Sequence, residues 1–487
     1  MKRLHDLLDD VRALEIVGGN PTIAALEYDS RRVEAGCCFF AVVGTASDGH
    51  DYIPSAIERG AVVVVCEHLP AEVNEAVAYV VVEDTNVAMA AMAAAFYDHP
   101  TAELRLVGVT GTNGKTTTAT LLYDMFMAMG YKAGLISTVI YRIGQRSIAS
   151  THTTPDAIRL NAMMREMVDE GCDYCFMEVS SHAAAQHRIA NLHFAGALFT
   201  NLTHDHLDYH GTYKEYIRAK KSFFDNLSPE AWAVVNIDDR NGEVMLQNCK
   251  ARSYRLSLRS MADFRTKIVE MMPDGMQLII DGKEVWVKFT GRFNAYNLTT
   301  VYAAATLLGI DPIEVLTTLS MLHPVAGRFE TITAEDRTMA IVDYAHTPDA
   351  LENVLQTIEE IRTEGQRLIV VCGCGGDRDK TKRPEMAKIA VEHATTAIFT
   401  SDNPRTESPE AILDDMVAGV ALATNYLRIS DRREAIRTAT MLAKAGDIIL
   451  IAGKGHEDYQ IIGTTKHHFD DREEVRKAFE TTHNTTI

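Results

Sequence analysis

The sequence predicts an α/β protein of three domains, and three observations predict it. The chain has 487 residues, more than one hydrophobic core normally organises. An apolar strand over 104–110 runs directly into Gly111-Thr112-Asn113-Gly114-Lys115-Thr116-Thr117, and a helix follows to about Met129. Beyond about Gly327, five apolar strands alternate with amphipathic helices, the pattern of a mostly parallel, doubly wound sheet. The expected domains are 1–102, 103–327 and 328–487, the second P-loop ATPase-like and the third Rossmann-like.

In the first domain, β-branched runs at 61–66 and 78–82 read as strands and 86–97 as a helix. This packing leaves Asp29-Ser30-Arg31-Arg32 and Asp48-Gly49-His50-Asp51 without a role. In the second, strands are expected at 174–179, 196–200 and 232–237, short antiparallel strands across 250–290, and a helix at 294–308. The third should have strands at 340–343, 367–373, 397–401, 426–430 and 447–452. Its helices are expected at 348–362, 384–393, 409–421 and 432–445.

Composition excludes several classes of function. Hydrophobic residues make up 46% and charged residues 24%, so the chain can bury a core and disorder is not its main state. With 48 Lys and Arg against 67 Asp and Glu, the net charge is −19, which argues against general nucleic-acid binding. Any anionic ligand must be held locally. The first ten residues include three Asp and do not read as a signal peptide. The longest apolar run, 87–96, is half of what a bilayer span needs. A soluble, cytoplasmic protein without membrane insertion is expected. Eight scattered cysteines are expected to be reduced, and Cys172-x-x-Cys175, with no second pair, reads as a buried strand edge before a zinc site.

Residues 111–117 form a phosphate loop by mechanism. Glycines let backbone N–H groups close around an anion, and the following helix turns its positive end toward it. Lys115 can reach the β- and γ-phosphates, and Thr116 offers Mg2+ a hydroxyl. Val109 stands where the strict motif has its first glycine. Glu178, closing one strand, and the run His204-Asp205-His206-Leu207-Asp208-Tyr209-His210, following the next, could complete a hard-cation site. Helix caps and surface histidines are the plainer alternative. In the third domain, strand ends read Asp343-Tyr344-Ala345-His346, Gly375-Gly376-Asp377-Arg378, Asp402-Asn403-Pro404-Arg405 and Gly453-Lys454-Gly455-His456-Glu457. Ligands of doubly wound sheets bind at such ends.

These motifs, with Glu178-Val179-Ser180-Ser181-His182, Ala219-Lys220, Gly291-x-Phe293-Asn294-x-x-Asn297 and Asp343-Tyr344-Ala345-His346-x-Pro348, occur in the order seen in the Mur ligases. The chain resembles that family over essentially its whole length. Asp29-Ser30-Arg31-Arg32 and Gly373-Cys374-Gly375-Gly376-Asp377-Arg378-Asp379-Lys380 resemble its third-step members. Ser137, before Thr138, stands where the family usually has glycine.

The resemblance implies an ATP-dependent amide ligase of peptidoglycan precursor synthesis. ATP would phosphorylate the γ-carboxylate of UDP-N-acetylmuramoyl-L-alanyl-D-glutamate, and meso-diaminopimelate would attack the acyl phosphate. It assigns Gly111, Thr112, Asn113, Gly114, Lys115, Thr116, Thr117, Asn297, Arg328 and Asp343 to ATP. Two Mg2+ ions would be held by Thr116, Glu178, His206 and Lys220, the last as a carbamate formed with CO2. Lys115, Lys220 and His206 would be catalytic. Ser30, Thr153, Thr154, Ser181 and Arg188 would hold the UDP-sugar peptide. Arg378, Asp402, Asn403, Pro404, Arg405, Gly453 and Glu457 would hold the amino acid. Read without the resemblance, Lys220 is a solvated helix lysine, and Asn297 could equally be a helix-surface amide. A monomer that closes before chemistry is expected. Folylpolyglutamate synthase, the alternative enzyme, leaves the N-terminal block unexplained, and a nucleotide-driven switch leaves the strand-end clusters unexplained.

Overall fold

The inner strands of the C-terminal sheet are apolar at successive positions because both their faces are buried. In this computed structural model, Met339–Asp343, Ile448–Ala452, Leu368–Cys372, Thr396–Phe399 and Tyr426–Arg428 lie parallel in that order. Glu330–Thr333 adds an antiparallel edge. Side chains alternate across the sheet with period two. Ile341, Val370, Leu450 and Phe399 pack under the helices Pro348–Ile361, Lys382–His393 and Pro409–Val417. Val342, Ile369, Val371 and Ile451 pack under Arg432–Leu442 and Asp471–His483.

Arg432 and Asp471 are both fully buried and pair through two bonds of 2.7 Å. Arg432 Nη2 also donates to the Ala452 carbonyl at 3.0 Å. The pair fixes the strand end from which residues 453–457 emerge. Removing one partner of such a buried pair costs about 3–5 kcal/mol.

The structure describes residues 1–44, 47–203 and 207–483. They group into two units. One comprises Met1–Gly111, Thr118–Asn201 and Lys214–Arg255, and the other Thr112–Thr117, Leu202–Tyr213 and Leu256–Ile487. Within the first unit, Ala13–Val17, Ala78–Val82, Ala61–Cys66, Cys37–Phe40 and Ala25–Glu27 form one sheet, parallel except for its first strand. A second sheet of this unit places Arg105–Thr110 between Tyr174–Glu178 and Phe194–Phe199, all parallel, with Trp232–Asn236 outside. Cys175 is buried in one of these strands, as the sequence implied. In the second unit, Phe264–Met272, Gly275–Ile280 and Lys283–Val287 form an antiparallel meander. The helix Arg292–Leu307 packs on it.

Elements expected from the sequence agree with these bounds to within two residues, with three exceptions: the helix expected over 409–421 ends at Val417 and continues as a short 3-10 turn to Val420, the helix expected over 432–445 ends at Leu442, and Arg252–Ser257 pairs parallel rather than antiparallel with Phe264–Met272. No described helix is long and apolar enough to cross a membrane.

Candidate active site

Val109 is buried inside the strand Arg105–Thr110, so the loop begins only at Gly111. Gly111 (φ +148°) and Gly114 (φ +87°) adopt backbone that side-chain-bearing residues avoid. A Cβ on Gly111 would collide with Thr200 Oγ1, and one on Gly114 would come within 2.5 Å of Asn297 Oδ1. Asn297 is therefore a buried amide against the loop, not a helix-surface one. Thr117, like Thr116, is buried in the first turn of the helix Lys115–Ala128. Lys115 Nζ donates to the Thr112 carbonyl at 2.8 Å. Asn113 Nδ2 donates to Asp349 Oδ2 at 3.0 Å, and Arg328 Nη2 lies 3.3 Å from Thr116 Oγ1.

The Arg328 guanidinium also stacks over the Tyr344 ring at 4.6 Å. Asp343 is buried and accepts from Phe329 N at 2.7 Å. Burial pushes its carboxyl up to about 6, against the pull of Arg328.

In the first unit, Glu178 stands opposite Val109 in register. Its carboxylate belongs to the strand end where the loop begins, and it is 1% exposed. Thr138 holds it through a backbone N–H at 2.7 Å and a hydroxyl at 3.3 Å. Thr138 Oγ1 also meets Thr153 Oγ1 at 3.0 Å. Thr154 Oγ1 donates to the Glu178 carbonyl at 2.8 Å, and Arg188 Nη1 donates to the Thr154 carbonyl at 2.7 Å. Ser181 Oγ is buried next to this strand end. Ser137, the departure from the family pattern, closes its own turn by donating to the Ile140 carbonyl at 2.8 Å. Thr138 carried no sequence motif, and only the fold exposes its grip on Glu178.

The reading of Lys220 as a solvated lysine is corrected. It is 2% exposed, and Nζ donates to the Gly111 carbonyl at 2.7 Å. Along Tyr213–Asp225, the buried residues are Tyr216, Ala219, Lys220, Phe223 and Phe224. Their spacing is that of an apolar helix stripe, with a lysine in one of its places. That spacing was the available signal. Ser30 is buried at the start of the 3-10 turn Ser30–Arg32, which Asp29 caps by accepting from Arg31 N. Among the described residues it shares no hydrogen bond with Thr153, Thr154 or Arg188. His206 lies outside the described residues.

Asp402, Asn403 and Arg405, beyond the strand Thr396–Phe399, come together with Gly453 and Glu457, beyond Ile448–Ala452, although Leu368–Cys372 lies between the two strands. Asn403 Nδ2 donates to Glu457 Oε2 at 2.8 Å, while its Oδ1 accepts from Lys454 Nζ at 3.0 Å and Ile461 N at 2.9 Å. Gly453 N donates to the Asp343 carbonyl at 3.0 Å. Pro404 is buried, and Arg405 is half-buried, its Nη1 donating to the Gly376 carbonyl at 2.7 Å. It is not a surface residue after a turn. Arg378 is exposed, with Nη1 3.4 Å from the Asp377 carbonyl.

Arg383, fully buried, ties these loops by donating to Glu407 at 2.9 and 3.0 Å and to the Gly375 carbonyl at 3.1 Å. This bond holds the Glu407 carboxyl down at about 2. Sequence reasoning missed Arg383, and it placed Lys454 in the 453–457 strand-end cluster without giving it a role.

The sequence matches three family descriptions: "Mur ligase family, catalytic domain" over residues 22–97, "Mur ligase middle domain" over 109–305 and "Mur ligase, glutamate ligase domain" over 327–455. The chain belongs to the Mur ligase family. Among its relatives in that family is the UDP-N-acetylmuramoyl-L-alanyl-D-glutamate–2,6-diaminopimelate ligase of Parabacteroides distasonis, 54% identical over 481 residues. That match spans 98% of this chain and 99% of the relative. The ligase of the same name from Bacteroides fragilis is 51% identical over 483 residues, spanning 99% and 100%. A solved structure of a Mur ligase bearing this name is 33% identical with a TM-score of 0.68, covering 95% of this chain and 96% of that one.

Proposed function

We propose that this Mur ligase joins meso-diaminopimelate to UDP-N-acetylmuramoyl-L-alanyl-D-glutamate in cytoplasmic peptidoglycan precursor synthesis, driven by ATP. The observation that carries the reading is 54% identity, over 98% of the chain, to a ligase of that name. The γ-carboxylate oxygen attacks the γ-phosphorus of ATP and releases ADP. The substrate amine then attacks the acyl carbon, loses a proton and expels phosphate. Residues 1–102 take the uridine end, 103–327 the ATP and 328–487 the amino acid, a division supported by where the three family segments fall.

Lys115, Asn113 and the loop N–H groups hold the phosphates, with Arg328 and Asp343 reaching ATP and Asn297 its adenine. Lys115 neutralises charge on the transferred phosphoryl, an effect realised chiefly in the transition state. Ser30 holds the uridine end, and Thr153, Thr154, Ser181 and Arg188 hold the sugar and peptide carboxylates. The donor set suits magnesium: Glu178 is a buried carboxylate and Thr116 brings a hydroxyl. Thr116, Glu178, His206 and a Lys220 carbamate would hold two Mg2+, which when bound supply charge neutralisation between two anions. Arg405 and Asn403 receive the distal carboxylate of diaminopimelate, with Arg378 and Gly453 contributing, and Glu457 and Asp402 receive its ammonium. The protein acts as a monomer.

The test is ADP release with and without the UDP-muramoyl dipeptide and each candidate amino acid. Release should require both the dipeptide and meso-diaminopimelate. Equal release with the dipeptide absent would overturn the reading.

A further inference from the structure

Lys454 is 0% exposed, yet its ammonium lies among four oxygens. It donates to the Tyr459 carbonyl at 2.6 Å and to Asn403 Oδ1 at 3.0 Å, and stands 3.4 Å from both Glu457 Oε2 and Asp402 Oδ1. A buried lysine head must be matched by such oxygens or it destabilises the fold. The matching here has a directional consequence. With Oδ1 of Asn403 occupied by Lys454 and by Ile461 N, the amide can present only its NH2 to Glu457 and to anything bound there. The charges do not cancel locally. One lysine faces two carboxylates, and Asp402 Oδ1 is a buried oxygen that receives no hydrogen bond among the described residues.

We infer that Lys454 is the positioning residue of the amino-acid pocket: it fixes the donor face of Asn403 and holds Asp402 and Glu457 as a pair one cation short, so that the pocket takes a carboxylate and an ammonium side by side. The inference rests on reading residues 402–405 and 457 as that pocket. Lys454 itself touches no substrate. Removing its charge leaves Ile461 N as the remaining donor on Asn403 Oδ1 and sets Asp402 against Glu457, leaving the phosphate loop's own contacts as they are.

The experiment compares Lys454→Met with the unaltered full-length enzyme, varying meso-diaminopimelate, ATP and the UDP-muramoyl dipeptide in turn. KM for meso-diaminopimelate should rise by about thirtyfold or more, the equivalent of one charged hydrogen bond. KM for ATP and for the dipeptide should stay within about threefold, and kcat at saturation likewise. If Lys454→Met does not fold, Lys454→Gln is measured instead, because it keeps a donor for the Asn403 and Tyr459 oxygens while losing the charge. Its KM for the amino acid should rise alone as well. An unchanged KM for the amino acid, or equal rises for all three substrates, overturns the inference. If the unaltered enzyme turns over with a different amino acid, the pocket's assigned substrate fails instead, and the Lys454 inference with it only if that amino acid has no terminal carboxylate and ammonium.

Discussion

Lys220 Nζ donates to the Gly111 carbonyl across 2.7 Å, tying a lysine from the helix Tyr213–Asp225 to the first residue of the phosphate loop. A lysine buried to 2% exposure at that place is either a strut or a functional group. As a strut, its ammonium would hold that carbonyl while lying over the Tyr216 ring, 4.8 Å from its centre. As a carbamate, its nitrogen keeps one N–H for the carbonyl and adds two anionic oxygens. Lys220→Ala is expected to lose most activity, and a small carboxylic acid that fills the gap should restore part of it. Activity assays with and without added acid, and the mass of the intact protein under CO2, check this. No rescue and no added mass would leave Lys220 as a strut.

The phosphate loop carries its own prediction. Lys115 Nζ rests on the Thr112 carbonyl at 2.8 Å, but the positive φ of Gly111 and Gly114 shapes the loop through its own backbone. Lys115→Ala should lower kcat by about three decades or more, because its charge acts on the transferred phosphoryl. The melting temperature should change little. A folded variant with near-normal kcat would remove Lys115 from the chemistry.

Much of this site was legible in the sequence for reasons that differ by element. Four of the five parallel strands of the third domain are buried on both faces, so their apolar runs mark them to within two residues. The hairpin Tyr459–Ile462 with Thr465–His468 was not read, because its second strand is polar and exposed. Arg383 and Lys454 look like surface charges in any local window. Their burial depends on Glu407 and on Asp402, Asn403 and Glu457, which are 24 or more residues away in the first case and up to 52 in the second. Lys220 was closer to legible, since it occupies a stripe position among Tyr216, Ala219, Phe223 and Phe224.

Asp343 gives a pH dependence with a definite sign. Its carboxyl is pushed up to about 6 by burial from an ordinary value of 3.8. A raised acid favours the folded state while protonated and costs stability once ionised. That cost appears as pH rises from about 4 to about 6 and is constant above. Two pH units correspond to about 3 kcal/mol. Asp343→Asn should therefore melt higher than the unaltered protein above pH 6, with the difference gone below pH 4. Its KM for ATP should rise. Thermal melts across that range check the sign, and a difference that grows toward acid would contradict it.

The proposed choice of amino acid rests on Arg405. Diaminopimelate differs from lysine in carrying a carboxylate beside its distal amine. A pocket for lysine has no use for a cation there, whereas diaminopimelate is best met by Arg, whose planar fork matches a carboxylate. Arg405 holds a left-handed backbone (φ +51°), fixed by Arg405 N to the Ile461 carbonyl at 3.1 Å and Gly463 N to its own carbonyl at 2.8 Å. Its guanidinium is steadied from one side by the Gly376 carbonyl. The loop bearing Gly376 is in turn held by Arg383 and Glu407. Charged hydrogen bonds contribute roughly 1.5–3 kcal/mol each, so losing two costs about two to four decades of selectivity. The enzyme should prefer meso-diaminopimelate to L-lysine by a margin of that order. Arg405→Ala should raise KM for meso-diaminopimelate and erase most of the preference, while leaving KM for ATP unchanged. Competition between the two amino acids, followed by product mass, measures both. Equal or better kcat/KM with L-lysine in the unaltered enzyme would overturn the diaminopimelate assignment and leave the ligase chemistry in place.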